Sequence, residues 1–262
     1  GCDKYFEDAI VTPNDPAAVT PGLLLTSVQV STFASYGGQL ARQAGVMTQH
    51  VAGTSVGSQT VEIANYNITE ITNENEWNGL YTGAVMNSKI LSRDFGGANP
   101  WYNGISKVML AMNIGLATDL WGDVPFSEAG QGETGNLSPA YDKQEEVIKE
   151  IQKTLDDAIL ALQMPEASNA LFPGSDDLIF GGDADAWIRT AYALKARYAN
   201  RLSEVNAGSS ATEALAALAN AYTSSAEDCN MIFGAGNSQN QWSAYEGSRA
   251  GYIRVSETFV DA

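Results

Sequence analysis

The stretch Asp119-Leu120-Trp121-Gly122-Asp123-Val124-Pro125-Phe126 closes a long apolar helix. Upstream of it, Ile105, Val108, Met109, Met112, Leu116 and Leu120 recur at three- and four-residue steps. That spacing lays one apolar stripe along a helix from Trp101 to Leu120. Gly122 gives the backbone freedom to leave the helix, and Pro125 forbids its continuation, so the chain must stop and turn.

Further helical patterns flank this one. Leu23 to about Val51 reads as two segments divided at Gly37-Gly38. Trp77 to Phe95 carries Trp77, Leu80, Tyr81, Ala84, Asn87 and Leu91 on one side; Gly96-Gly97 ends it and Asn99-Pro100 opens the next helix. Asp142 and Glu145 form a capping-box-like start to a helix reaching about Gln163, with Val147, Ile148, Ile151, Leu155, Ile159 and Leu162 as its stripe. Two more are expected, at Trp187 to Val205 and at about Ala211 to Tyr222. Residues 52–76, 127–139 and 164–183 read as long loops. From Ser224 the chain is irregular until Ile253, where a helix begins, and the end within that helix predicts a truncated product lacking a C-terminal portion. Strand alternation long enough to build a sheet is absent. The expected fold is therefore all-α, built of paired antiparallel helices of the tetratricopeptide kind, without strict repeat consensus. Residues 1–22 read as a leader or tether broken by Pro13, Pro16 and Pro21, and residues 23–262 as the helical domain.

Composition narrows the function. A chain of 262 residues with 44% hydrophobic content can bury a substantial core in one domain. With 14 basic against 31 acidic residues, its net charge of −17 repels nucleic acid and anionic bilayer surfaces. Neutral ligands such as glycans or peptides remain. No run of 18 apolar residues is present to span a membrane as a helix. The two cysteines stand far apart, at 2 and 229. Gly1-Cys2 matches the end of a bacterial lipobox, in which the Cys thiol receives lipid. A disulfide to Cys229 and an incidental pair are the other readings.

No catalytic signature stands out. There is no Gly-x-Ser-x-Gly elbow, Cys-x-x-Cys pair or phosphate-cradling Gly-Lys-Ser/Thr loop, and His50 is the only histidine. No cofactor or catalytic residue is expected. Two carboxyls at the spacing of an all-α inverting glycosidase could still arise among so many acids. Metal ligation is left open at the acidic loops of Asp176, Asp177 and Asp183, which lack EF-hand spacing.

Several segments fall into one order. They are Gly1-Cys2, Trp77-Asn78-Gly79-Leu80-Tyr81 with Asn87, and Asp119 to Ala129, followed by Tyr141-Asp142 opening a helix. Next come Ile179-Phe180-Gly181-Gly182-Asp183, the helix with Trp187, Ala191, Leu194, Lys195, Arg197, Ala199, Arg201 and Leu202, and last Arg254-Val255-Ser256 with Phe259-Val260-Asp261. This succession resembles the SusD/RagB family of the Bacteroidetes. The resemblance implies a right-handed superhelix of tetratricopeptide-like helix pairs on the extracellular face of the outer membrane, held by a lipid on Cys2. It also implies a role as lid over a SusC-like TonB-dependent transporter, to which captured oligosaccharides, or peptides in some members, are passed. A helical scaffold binding only proteins is the remaining alternative.

Sugar rings offer C–H faces to aromatic rings and hydroxyls to amide, carboxylate and guanidinium groups. Two polar stretches supply these. Residues 65–78 hold Asn65, Tyr66, Asn67 and Asn73, along with Asn75 and Trp77; residues 236–252 hold Gln241, Trp242, Tyr245 and Arg249, with Asn237, Gln239, Asn240 and Tyr252 beside them. The second stretch reads equally as a loop packed on further chain. Trp77 and Trp121 are expected in the core. Arg197 and Arg201, four apart on one helix, are expected to pair with Asp183 and Asp185 rather than with ligand.

Overall fold

The computed structural model describes residues 19–261. The proposed lipid site Cys2 and most of the 1–22 tether lie outside the described residues, as does Ala262.

Three helix pairs make the body. The first sets α1 (Pro21–Gly37) against a continuous helical run built of α4 (Glu74–Asn78), a π-helical stretch Gly79–Val85, α5 (Met86–Ile90) and a second π-helical stretch Leu91–Phe95. The second packs α6 (Pro100–Trp121) on α7 (Gln144–Leu162), and the third α8 (Ala184–Asn200) on α9 (Ala207–Leu218). Smaller elements gather at one corner: α2 (Gln39–Met47), β1 (Val51–Gly53), α3 (Gln59–Ala64), α10 (Gln241–Ser248), β2 (Ile253–Val255) and α11 (Glu257–Val260). Helix accounts for 61% of the described residues, which hold two three-residue strands, so the all-α, tetratricopeptide-like class holds.

Local chemistry sets the main boundaries. Thr20 caps α1 by accepting the Leu23 N–H at 3.3 Å, with Pro21 in the first helical position. Gly122 has φ of 74°, a left-handed value that ends α6. Its N–H donates to Thr118 O at 3.0 Å and its carbonyl accepts from the Thr118 hydroxyl at 2.6 Å. Val124 and Asp142 then exchange backbone hydrogen bonds at 3.1 and 3.0 Å, so the turn is tied to the entry of α7. The stripe read from α6 is buried as expected at Ile105, Val108 and Met109, which share a core with Leu25, Leu80, Ile151, Leu155, Trp187 and Tyr198. A Cβ placed on Gly115 would lie 1.9 Å from the Tyr198 hydroxyl, so only glycine lets α6 and α8 approach this closely.

Several expectations are corrected. Residues 52–76 are not one loop. They contain the end of β1, the six-residue α3 capped by Ser58, and the first turn of α4. Residues 236–252 hold α10, and the helix expected at Ile253 starts only at Glu257, because Ile253 to Val255 pair antiparallel with Gly53 to Val51. Segments this short have no periodicity of their own, and their partners far along the chain decide their state. The capping box at Asp142 does not form. Asp123 accepts the Gln144 N–H at 2.9 Å instead, while Asp142 accepts the N–H groups of Phe126 and Ser127, each at 2.8 Å. Arg197 and Arg201 face Asp119, at 3.9 and 2.7 Å, rather than Asp183 or Asp185. Asp183 caps the start of α8 by accepting the Ala186 N–H at 3.0 Å, and the fourteen residues to Arg197 put about 21 Å of helix between them.

The 164–183 segment closes the array through Asp177. Its carboxylate is buried and accepts from Gln29 Nε2 at 2.6 Å on α1 and Trp187 Nε1 at 2.8 Å on α8. It also accepts the N–H groups of Ile179, Phe180 and Gly182 at 3.1, 3.4 and 2.9 Å. Gln29 returns an acceptor to the Leu178 N–H at 2.8 Å. Asp176 accepts from the Tyr102 hydroxyl at 2.8 Å and the Gly174 N–H at 2.9 Å. The carboxylates considered for Ca²⁺ are thus engaged by N–H and O–H donors, and no metal-sized cluster of ligands occurs among the described residues.

Asp177→Ala strips the acceptor from two side chains and three backbone groups at once. Urea unfolding should show a loss of about 3–5 kcal/mol. A loss under about 1 kcal/mol would show that water replaces the carboxylate without cost.

Candidate functional site

The corner around α2 gathers five of the eight ligand-binding candidates. Asn240 caps α10 by accepting the Trp242 N–H at 2.9 Å, which fixes how that helix lies. The Trp242 indole reaches Gly45, where a Cβ would sit in ordinary contact with its tip at 3.8 Å and more tightly against Val51 Cγ2 at 3.1 Å. The Arg42 guanidinium stands 4.3 Å from the centre of the Tyr245 ring, and that of Arg249 stands 5.3 Å from it. At the first turn of α2, Gln39 Nε2 donates to Thr72 O at 2.7 Å and contacts Asn73 Oδ1 at 3.4 Å. Asn73, Gln241, Trp242, Tyr245 and Arg249 are therefore held to one short helix and its N-terminal junction. Gln241 reaches that junction by placing its Oε1 3.5 Å from where a Cβ on Gly37 would lie.

Asn65, Tyr66 and Asn67 turn elsewhere. Asn65 ends α3, and Asn67 donates to Glu62 at 2.6 Å. Tyr66 has φ of 57°, a strained value for a tyrosine, and its side chain is 75% exposed. It borders a 220 Å³ cavity with Val46, Met47, Ile63 and Ser256 at the far end of α2. Tyr66 is thus an exposed aromatic ring beside the corner rather than within it.

Electrostatics at the corner are unusual for so acidic a chain. Burial lowers the Arg42 pKa below that of a free guanidinium, although Tyr245 and Glu76 both favour its charge. Burial also raises the Glu76 carboxyl, against the pull of Arg42. Three acceptor oxygens, Gln43 Oε1, Glu76 Oε2 and Gln241 Oε1, are buried without a donor among the described residues. Such groups each cost about 1–3 kcal/mol until a donor reaches them. Arg42, Glu76 and Gln43 escape a search for polar loops because they lie on helices. The available signal was helical spacing, since Gln39, Arg42 and Gln43 share one side of α2.

Trp77 and Trp121 pack partly buried against the core, as expected. They meet edge to face at 5.0 Å, with Tyr81 and Tyr141 at 4.6 and 6.3 Å from Trp77.

Comparison with known proteins then decides the family. The model of a family described as starch-binding, associating with outer membrane, matches residues 13–262. The chain belongs to the SusD-like family. A SusD/RagB family protein from Bacteroides thetaiotaomicron superimposes with a TM-score of 0.81 at 28% identity, over 91% of this chain and 50% of its own. A chitin-binding SusD homolog from Flavobacterium johnsoniae gives 0.74 at 20%, over 88% and 50%, and another chitin-binding protein gives 0.75 at 24%, over 92% and 52%. The SusD-like chain thus spans about half the length of these structures. No curated protein sequence matches it.

The chemistry at Cys229 is that of a packed thiol, because burial pushes it up to about 12. In a Cys2→Ala background at pH 8, alkylation of Cys229 should run at least ~100-fold slower in the folded chain than in urea, since the thiolate reacts and the thiol does not. Equal rates would show an open, activated thiol.

Proposed function

We propose that this SusD-like chain binds a neutral glycan on the shallow surface around α2, without chemical turnover. The supporting observation is that Arg42, Tyr245, Arg249, Trp242 and the Gln39–Asn73 pair share one short helix and its junction. Guanidinium and amide groups suit sugar hydroxyls, while Trp242 and the exposed Tyr66 suit sugar C–H faces. Buried acceptors without donors favour a polyhydroxyl ligand over an apolar one, because a hydroxyl can meet an acceptor that turns outward. The starch-binding description of the family and the chitin-binding proteins of similar fold point to the same ligand class.

The remaining parts of the reading follow from the family resemblance. A lipid on Cys2 anchors the protein on the extracellular face of the outer membrane, residues 1–22 act as tether, and residues 23–262 form the helical platform. The bound glycan passes to a SusC-like TonB-dependent transporter. Peptide capture is the alternative within the same architecture, served by the same corner.

Affinity electrophoresis against soluble starch and glycol chitin tests the ligand class. Retardation is expected with at least one of them, and Tyr245→Ala or Arg42→Ala should weaken it about tenfold, a loss of roughly 1.4 kcal/mol. Retardation that survives both substitutions would move the site elsewhere. Release of shortened sugars would replace binding by hydrolysis.

A further inference from the structure

A second cavity, of 310 Å³, lies between α1, α6 and α8, away from the α2 corner. Its walls include Phe33 and Tyr36 of α1, Met112 of α6, Leu194 and Arg197 of α8, and Tyr222 beyond α9. Its hydroxyls have their hydrogens engaged inside the protein. Tyr36 donates to Met112 O at 2.8 Å, and Tyr222 to Thr190 Oγ1 at 2.7 Å. The cavity is therefore largely apolar, with one cation on its lining.

That cation is weakly matched. Arg197 and Arg201 both face Asp119, and both approach the same oxygen, Oδ2. Arg201 takes it at 2.7 Å in a hydrogen bond, while Arg197 stands off at 3.9 Å. Two guanidiniums thus share one carboxylate, and the spare positive charge sits on the side lining the cavity. Arg197 makes no hydrogen bond to another side chain among the described residues, so its fork of N–H donors remains free for a planar acceptor.

We propose that this cavity binds a carboxylate carried on an apolar group, such as an arylalkanoic acid or a peptide C-terminus with an apolar last side chain. The carboxylate meets Arg197, and the apolar group fills the space between Phe33, Met112 and Leu194. A sugar ring would bury hydroxyls against those walls with few partners. A cation would be repelled by Arg197. A neutral apolar molecule would leave the guanidinium facing it unmatched. The whole chain carries −17, so general attraction of anions is not available, and a preference for an acid must come from a local site.

The test compares 3-phenylpropionate with 3-phenylpropionamide, titrated into the 262-residue chain by calorimetry or NMR. The acid should bind at least tenfold tighter than the amide. Arg197→Gln should erase that preference by weakening the acid alone. Asp119→Asn removes the competing carboxylate and should tighten the acid several-fold, a gain that a purely structural role for Arg197 would not produce. Gly-Gly-Phe and its C-terminal amide then distinguish sources: stronger binding of the tripeptide acid assigns a peptide terminus, and stronger binding of phenylpropionate a small acid. Equal binding of acid and amide, no binding of either, or no response to both substitutions in chains with unchanged circular dichroism would overturn the proposal.

Discussion

One buried anion has to be accommodated before the helices can close on one another. Asp177 is buried with no cation beside it among the described residues, which is tolerable because five donors from α1, α8 and its own loop converge on it. The constraint is mutual. Gln29, buried in α1, needs Asp177 and the Leu178 N–H, and Trp187 can bury its indole only with an acceptor for Nε1. The first and third helix pairs are thereby fixed to each other by a polar knot, while apolar contact along α6 and α7 fills the space between. Gly115 allows the corresponding close approach at the other side of the core.

With the body fixed in this way, the surface elements at the α2 corner acquire positions that none would hold alone. β1 and β2 pair over three residues, which brings residues 253–255 back to residues 51–53 and carries α10 onto the flank of α2. The corner is accordingly a product of long-range closure. Its aromatic and guanidinium groups come from segments about two hundred residues apart, as in the contact of Arg42 with Tyr245.

The long helices were legible because their evidence is local. The stripe of α6 repeats over about four turns, Gly122 and Pro125 stop it, and the observed helix ends within a residue of the expected one. α7 and α8 were legible for the same reason, with buried Val147, Ile151, Leu155, Trp187 and Leu194 in the expected stripes or motif positions. The short elements were not. α3 and α10 sit in polar stretches whose composition reads as loop, and their helicity depends on caps and neighbours that only folding supplies. Asp142 shows the limit of motif reading. Its spacing to Glu145 suits a cap, yet the turn after Pro125 offers it two N–H groups and Asp123 takes the capping place. At the corner, residue type picked out Asn73, Gln241, Trp242, Tyr245 and Arg249, and the fold brings these candidates together. Their helical partners Arg42 and Glu76 needed coordinates, because a charged residue on a helix face usually means only a solvated face.

On the proposed reading, a rigid helical body presents its glycan-binding surface at the α2 corner. Hydrogen exchange of the chain with and without a bound oligosaccharide tests this most directly. Added protection confined to residues 39–47, 65–78 and 240–252, with the exchange of α6, α7 and α8 unchanged, is the predicted result. Protection centred on the α6–α8 body, with the α2 corner unaffected, would contradict it.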